Sequence, residues 1–372
     1  MNYSGVNTGP VKVTSTNGIP IIAAVRDAWA TNGTTTSFAQ LMGLPAEQLS
    51  DTYVFPAYNN VTLDEQLRIG NVDSVSSTVK VTIGGVLRGT YTLAANKAVR
   101  VNYAGLDSGP VVVQGTSGVH IIAAVRDAWK VNGSGFSSAQ LMGLPAGQLS
   151  DTYVFPAYNN VTLNEQLRIG NVDSVPSTVM VTIGGVVRGT YTLAANGAVR
   201  VNYAGLDSGP VIVQGTSGVH IIAAMRDAWS ANGVTTSFSQ LMGLPAGQLS
   251  DTYELPAYNN VTLNEQLRIG NVDSVPSTVK VTIGGVLRGT YTLPANGSVR
   301  VNYSGLDTGP VVVQGTSGVH IIVAMRDAWS ANGMTTSFIQ LMGLPASQLS
   351  NTYLFPAYDN VTLNEQLRYG VP

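Results

Sequence analysis

Arg26-Asp27-Ala28-Trp29 returns at 126–129, 226–229 and 326–329, and Gln66-Leu67-Arg68 returns at 166–168, 266–268 and 366–368. The interval is 100 residues each time, with no insertion or deletion. A strict period of this size constrains the fold more than any other feature, because each copy must be one structural unit in an array. At 372 residues the chain also exceeds what a single hydrophobic core usually sustains.

Differences between the copies mark the positions free to vary. Residues 30–36 read Ala-Thr-Asn-Gly-Thr-Thr-Thr in the first copy and Lys-Val-Asn-Gly-Ser-Gly-Phe in the second, which predicts an exposed loop. Val54 becomes Glu254 while its neighbour stays apolar, Phe55 becoming Leu255. That pattern predicts a half-buried strand with position 54 turned to solvent.

Within a repeat, strand patterns alternate with turn residues. A short strand over 52–57 carries Pro56, which suits an edge. Residues 65–72 alternate through Gln66, Leu67, Arg68 and Ile69. A hairpin over 78–83 and 87–93 turns at Gly84-Gly85, where positive φ costs nothing. Strands over 98–103, 111–114 and 119–125 follow. Seven short strands in such a repeat predict a β-sandwich of immunoglobulin-like size. Over 37–49, Phe38, Leu41 and Met42 have helical spacing until Gly43 and Pro45 stop the turn. The expected fold class is therefore all-β, with tandem immunoglobulin-like β-sandwich repeats joined by short helical linkers.

On this reading complete units span 51–150, 151–250 and 251–350. The leading piece, 1–50, holds the C-terminal part of a split repeat plus a linker, and the trailing piece, 351–372, holds its first strands. An incomplete sandwich leaves apolar faces and strand edges in water. Three outcomes relieve this: a ring closed within one chain, a head-to-tail fibre in which the tail of one chain completes the head of the next, or a longer array. The two pieces together lack the hairpin equivalent to 78–93, which weighs against both ring and fibre; fibre and longer array are expected equally, ahead of the ring. Residues placed to make the joint are Val11, Val13, Ile21, Ile22, Tyr353, Phe355, Leu363 and Leu367.

Charged residues are only 11% of the chain and net charge is −2, with no basic stripe to meet phosphates, so nucleic acid is not an expected partner. No apolar run is long enough to span a bilayer. Met1-Asn2-Tyr3-Ser4-Gly5 lacks the basic and apolar regions of a secretion signal, so export information is expected to have been removed or to lie on a longer product. There are no cysteines, which excludes disulfides and thiolate metal sites.

Candidate chemistry is sparse. His120, His220 and His320 give way to Pro20 in the first copy, so they read as edge-strand residues. The pairs Arg26/Asp27 and Glu65/Arg68 recur without a nucleophile or phosphate loop, and read as salt bridges fixing strand register rather than as acid–base catalysts. No enzymatic activity and no cofactor is expected. Asp51, Asp73 and Asp107 lie on turns and leave calcium as the one metal to consider. Trp29, Tyr58 and Asn60 are the candidate ligand residues for surface glycans, against a core role for the tryptophan and a loop-capping role for the tyrosine hydroxyl. Asn60-Val61-Thr62 is a glycosylation sequon, repeated at Asn160, Asn260 and Asn360.

The stretch Tyr53-Val54-Phe55-Pro56-Ala57-Tyr58-Asn59-Asn60, with Gln66-Leu67-Arg68-Ile69-Gly70-Asn71 after it and Met42-Gly43-Leu44-Pro45 before it, resembles the tandem repeats of exported proteins from Chloroflexota-type bacteria. The resemblance covers essentially the whole repeat. It implies a cell-surface or extracellular setting and brings no activity or catalytic residues with it. The expectation is an extracellular structural protein, a stalk, sheath or filament built from copies of itself, with a multivalent adhesin or carbohydrate-binding array as the alternative.

Overall fold

The computed structural model describes residues 1–31, 34–131, 135–231, 234–331 and 334–371, and side chains for these residues other than 29–36, 129–136, 230–236 and 330–336. Regular structure among them is β-strand throughout, apart from one short 3-10 turn per repeat, such as Ala46–Gln48.

In the unit spanning 51–150, one antiparallel sheet orders Val86–Leu93, Ser77–Ile83, Val111–Gln114, Thr52–Phe55 and Leu144–Pro145. The second orders Ala98–Val101, Asp64–Asn71, Ile121–Val131 and Gly135–Met142. The alternation read from the sequence is what makes the first sheet: along Ser77–Ile83, Val79, Val81 and Ile83 are fully buried while Thr78 and Lys80 face out. Gly84 and Gly85 take φ of 59° and 76° at the hairpin turn. Tyr53, Phe55, Val111 and Val113 of this sheet meet Leu67, Ile69, Ile121 and Ile122 of the other in one core. The same arrangement recurs in 151–250 and 251–350.

The expected helical linkers are not there. Thr34–Met42 is a strand paired with Ile22–Thr31, Leu44–Pro45 adds to the edge of Thr352–Phe355, and only Ala46–Gln48 turns. Apolar residues at 38, 41 and 42 fit a helix, but they equally fit a strand covered on both sides, and this strand is covered on both sides. Nor do the units hang on tethers. Ala24, Ala124, Ala224 and Ala324, each 0% exposed, enter the core of a neighbouring unit.

The units close on themselves. Val11–Thr14 pairs with Thr352–Phe355 in the register Val11↔Phe355 and Val13↔Tyr353, the same as Val111↔Phe55 and Val113↔Tyr53. Ile22–Thr31 pairs with Asn364–Gly370, and Asn7–Thr8 with Tyr358–Asp359. The two end pieces therefore form a fourth, smaller unit within one chain. This reverses the expectation that favoured pairing between chains. Adjacent units share apolar core, so the array curves rigidly and delivers its tail to its head at high effective concentration.

Candidate functional site

Of the eight residues expected to make the joint, seven lie together within one chain. Val11, Val13, Ile21, Ile22, Tyr353, Phe355 and Leu367 share one core, and Leu363 is buried at 7% exposure. Ile21 also bridges Ser350.

Four long hairpins, beginning with Ile22–Thr31 and Thr34–Met42, stand side by side around a pseudo-four-fold axis. Equivalent residues meet there: Ser37 Oγ donates to Ser137 at 3.4 Å, and Ser137 Oγ donates to Ser237 at 3.2 Å. Further along, Gln148 Nε2 donates to Gln48 Oε1 at 3.1 Å, Gln48 to Gln348 at 3.0 Å, and Gln348 to Gln248 at 3.1 Å. Equivalent residues at equal heights require the four hairpins to run in the same direction. The side chains of the variable stretch 30–36, expected as an exposed loop, lie outside the described residues. On the axis Met42, Leu44, Pro45, Gln48 and their counterparts line a pocket of about 140 Å3. The axis is filled at Phe38, Ala39 and Gln40, so the ring encloses no pore there.

Between units lies a buried ionic layer. Asp127 stands opposite Glu65 on the paired strand, with exposures of 0% and 1%. Burial pushes the Glu65 carboxyl well above its ordinary range, and the facing Asp127 pushes it further. Burial likewise raises Asp127 to about 6 and its counterpart Asp327 to about 7. Two buried carboxyls facing each other each oppose ionisation of the other. The guanidinium that balances each pair comes from a neighbouring unit: Arg268 Nη1 lies 3.1 Å from Glu165 Oε1, and Arg68 Nη1 lies 3.6 Å from Glu365 Oε1. Gln140 donates to Asp27 and Gln240 to Asp127, again between units. The recurring Glu65/Arg68 motif thus joins unit to unit instead of fixing register within one. At the rim, Arg200 grips Asp107 through both guanidinium nitrogens, and Arg300 grips Asp207 likewise.

Position 54 also lies on this interface. Val54 and Val154 enter neighbouring cores, and Glu254, expected to face solvent, is 6% exposed. Its Oε2 has no hydrogen-bond partner, and burial lifts its pKa to about 7.

Tyr58 is fully buried: its hydroxyl donates to the Glu65 carbonyl at 2.8 Å and accepts from the Tyr103 amide at 2.8 Å. It caps a loop and offers no ring face for a sugar. Asn60 Nδ2, the atom a glycan would join, donates to Glu65 O at 3.0 Å and to Tyr58 Oη at 3.3 Å. Asn160, Asn260 and Asn360 repeat this. The side chain of Trp29 lies outside the described residues, whereas Trp229 stacks on Phe338 with ring centroids 6.5 Å apart. Asp51 accepts from Thr52 and Gly118, and Asp73 from His120, as turn-holding contacts. No group of three His, Cys, Asp or Glu side chains is arranged to hold a metal among the described residues.

Sequence reasoning missed Ala24 and its counterparts, Gln40, Gln48 and the burial of Glu254. The one available signal was the unalternating run Ile21-Ile22-Ala23-Ala24-Val25, which marks a strand covered on both faces.

No helix among the described residues is long and apolar enough to cross a membrane. No family model and no curated protein matches the chain. Among solved structures it is similar to the BSP domain of a biofilm-associated protein at 13% identity, covering 90% of this chain and 68% of that one, with a TM-score of 0.17. A bacterial ice-binding adhesin matches at 16% identity over 88% of this chain and 99% of its own, TM-score 0.13. The M60 catalytic domain of Clostridium perfringens ZmpB with its CBM51 domains matches at 8% identity over 92% and 38%, TM-score 0.19. Scores this low carry no argument about arrangement or function.

Proposed function

We propose that the chain is an extracellular structural and adhesive module, a closed ring of β-sandwich units with four long hairpins side by side around its axis. The observation that carries this reading is the axial array of hairpins, locked at equal heights by the Ser37 and Gln48 contacts. The frame is nearly identical in every repeat while the turn sequences at 30–36 and 130–136 differ, as expected where binding is adjusted on a fixed scaffold. Four equivalent hairpins side by side suit weak, multivalent recognition, with surface glycans as the partner class. Low charge and the absence of cysteine fit a module stabilised by apolar core and β pairing alone.

The test replaces 30–36, 130–136, 230–236 and 330–336 with Gly-Ser segments and compares binding to a glycan array and to bacterial surfaces. Lost binding with an unchanged melting temperature supports the reading. A parent protein that binds no glycan and no surface removes adhesion and leaves the structural role. A second reading, assembly of copies of this chain into filaments, is favoured by the strict 100-residue repeat and the low charge of the chain. Electron microscopy across a concentration series tests it: long fibres support it, and discrete particles at every concentration reject it.

A further inference from the structure

Each hairpin leaves the axis by the same route. Strand Thr34–Met42 ends, and Gly43 passes so close to Phe355 that a Cβ there would meet the ring at 2.7 Å. Leu44–Pro45 then joins the edge of Thr352–Phe355, with Leu44 buried at 7% exposure. Close approach to the ring explains the glycine, and core packing explains the leucine. Neither explains Met42 and Gln48, which are half-buried and turn to the axial pocket.

The pocket is lined by four equivalent sets of Met42, Gly43, Leu44, Pro45 and Gln48, and no charged side chain takes part. Position 47 beside it is exposed in every copy, so the pocket sits at the surface of the ring. That position varies through Glu47, Gly147, Gly247 and Ser347, and axial position 39 varies through Ala39, Ala139, Ser239 and Ile339. Met and Gln stand at 42 and 48 in all four copies. The volume is about that of a cavity that admits benzene. Methionine side chains adapt to an aromatic ring and make favourable sulfur–ring contacts with it.

The amides add a direction. Gln148 donates to Gln48, Gln48 to Gln348 and Gln348 to Gln248. The circuit stops there: among the described residues, Gln248 Nε2 and Gln148 Oε1 bond no other side chain. One donor and one acceptor are left on adjacent units, and a hydroxyl group can accept from the first and donate to the second.

We propose that the axial pocket binds one small neutral alcohol with an apolar, ring-sized body. The body lies among the four methionines, and the hydroxyl bridges Gln248 and Gln148. All four repeats contribute to the lining, so one ring takes one ligand. This goes beyond the adhesive and filament readings and rests on neither.

The experiment titrates benzyl alcohol into the full chain carrying 13C-methyl methionine. The chain holds nine methionines, four of them in the pocket lining. The expected result is saturable one-to-one movement of the Met42, Met142, Met242 and Met342 signals, with Met1 and Met180 unmoved. Benzoate and benzylammonium have nearly the same shape but carry charge, and should each bind at least about tenfold more weakly. Gln248→Glu keeps the acceptor for Gln348 and places a carboxylate at the pocket. It should raise the affinity for benzylammonium relative to benzoate by at least about fivefold. No saturable movement, movement spread over all nine signals, equal affinity for neutral and charged probes, or an unchanged ratio in the variant overturns the proposal. Signal changes that track association of two rings in sedimentation assign the face to a second copy and also overturn it.

Discussion

Glu254 is the clearest stability defect in the ring. It stands at a position held by Val54 and Val154 in the preceding units, is 6% exposed, and has one carboxyl oxygen without a partner. Burial is the cause of its rise from an ordinary 4.5 to about 7. The folded protein therefore binds a proton that the unfolded chain has released between those two values. Stability contributed at this site falls as pH rises through that window and is level above it. A tenfold change in proton affinity is worth roughly 1.4 kcal/mol, so the ionised form costs about 3.5 kcal/mol relative to the protonated one, of which about 2–3 kcal/mol develops between pH 5 and pH 8.5. Glu254→Val should stabilise the protein at both pH 5 and pH 8.5 in urea unfolding, with the gain about 2–3 kcal/mol larger at pH 8.5. The difference between variant and parent isolates Glu254 from the other buried carboxyls. A gain that is the same at both pH values, or no gain, refutes the burial of this side chain at the interface.

Two other substitutions examine the contacts between units. Ala224, at 0% exposure, enters the core of the 51–150 unit, so Ala224→Leu should cost about 1–3 kcal/mol by overpacking, while the same change at exposed Ala94 stays within about 0.5 kcal/mol; equal effects in urea titration would contradict the shared core. Arg268→Met leaves buried Glu165 and Asp227 without the guanidinium nearest to them and should cost about 3–5 kcal/mol at pH 8, less at pH 5, below the value of about 6 to which burial raises Asp227; a cost below about 1 kcal/mol at pH 8 would contradict the ionic layer.

Much of the unit was legible because its physics is local. Ser77–Ile83 alternates, Gly84-Gly85 supplies the turn, and the period delimits each copy. What was not legible depends on neighbours. Strand Thr34–Met42 is buried on both faces over 37–41 because an axis of equivalent strands covers its second face, and a single copy of the repeat does not reveal that axis. Glu254 read as a solvent position because a carboxylate is a poor interface residue, and the structure retains it at a cost. Arg68 and Glu65 lie close in sequence, yet Arg68 reaches Glu365 in the next unit. Ring and fibre use the same strand pairs in the same register, so the residues at 11–14 and 352–355 identify the joint without saying whose tail fills it. The curvature set by the shared cores decides the matter.

That closure is the central claim, and the absence of cysteine from the chain makes it directly measurable. Thr14 and Thr352 are register partners whose hydroxyl oxygens lie 3.4 Å apart. Antiparallel partners stand at a spacing a disulfide can bridge. In the double variant Thr14→Cys with Thr352→Cys, a ring closed within one chain predicts complete oxidation to a monomer that migrates faster on a non-reducing gel, at every protein concentration. Disulfide-linked dimers and ladders that grow with concentration, with no cross-linked monomer, would contradict the ring and return the joint to neighbouring chains.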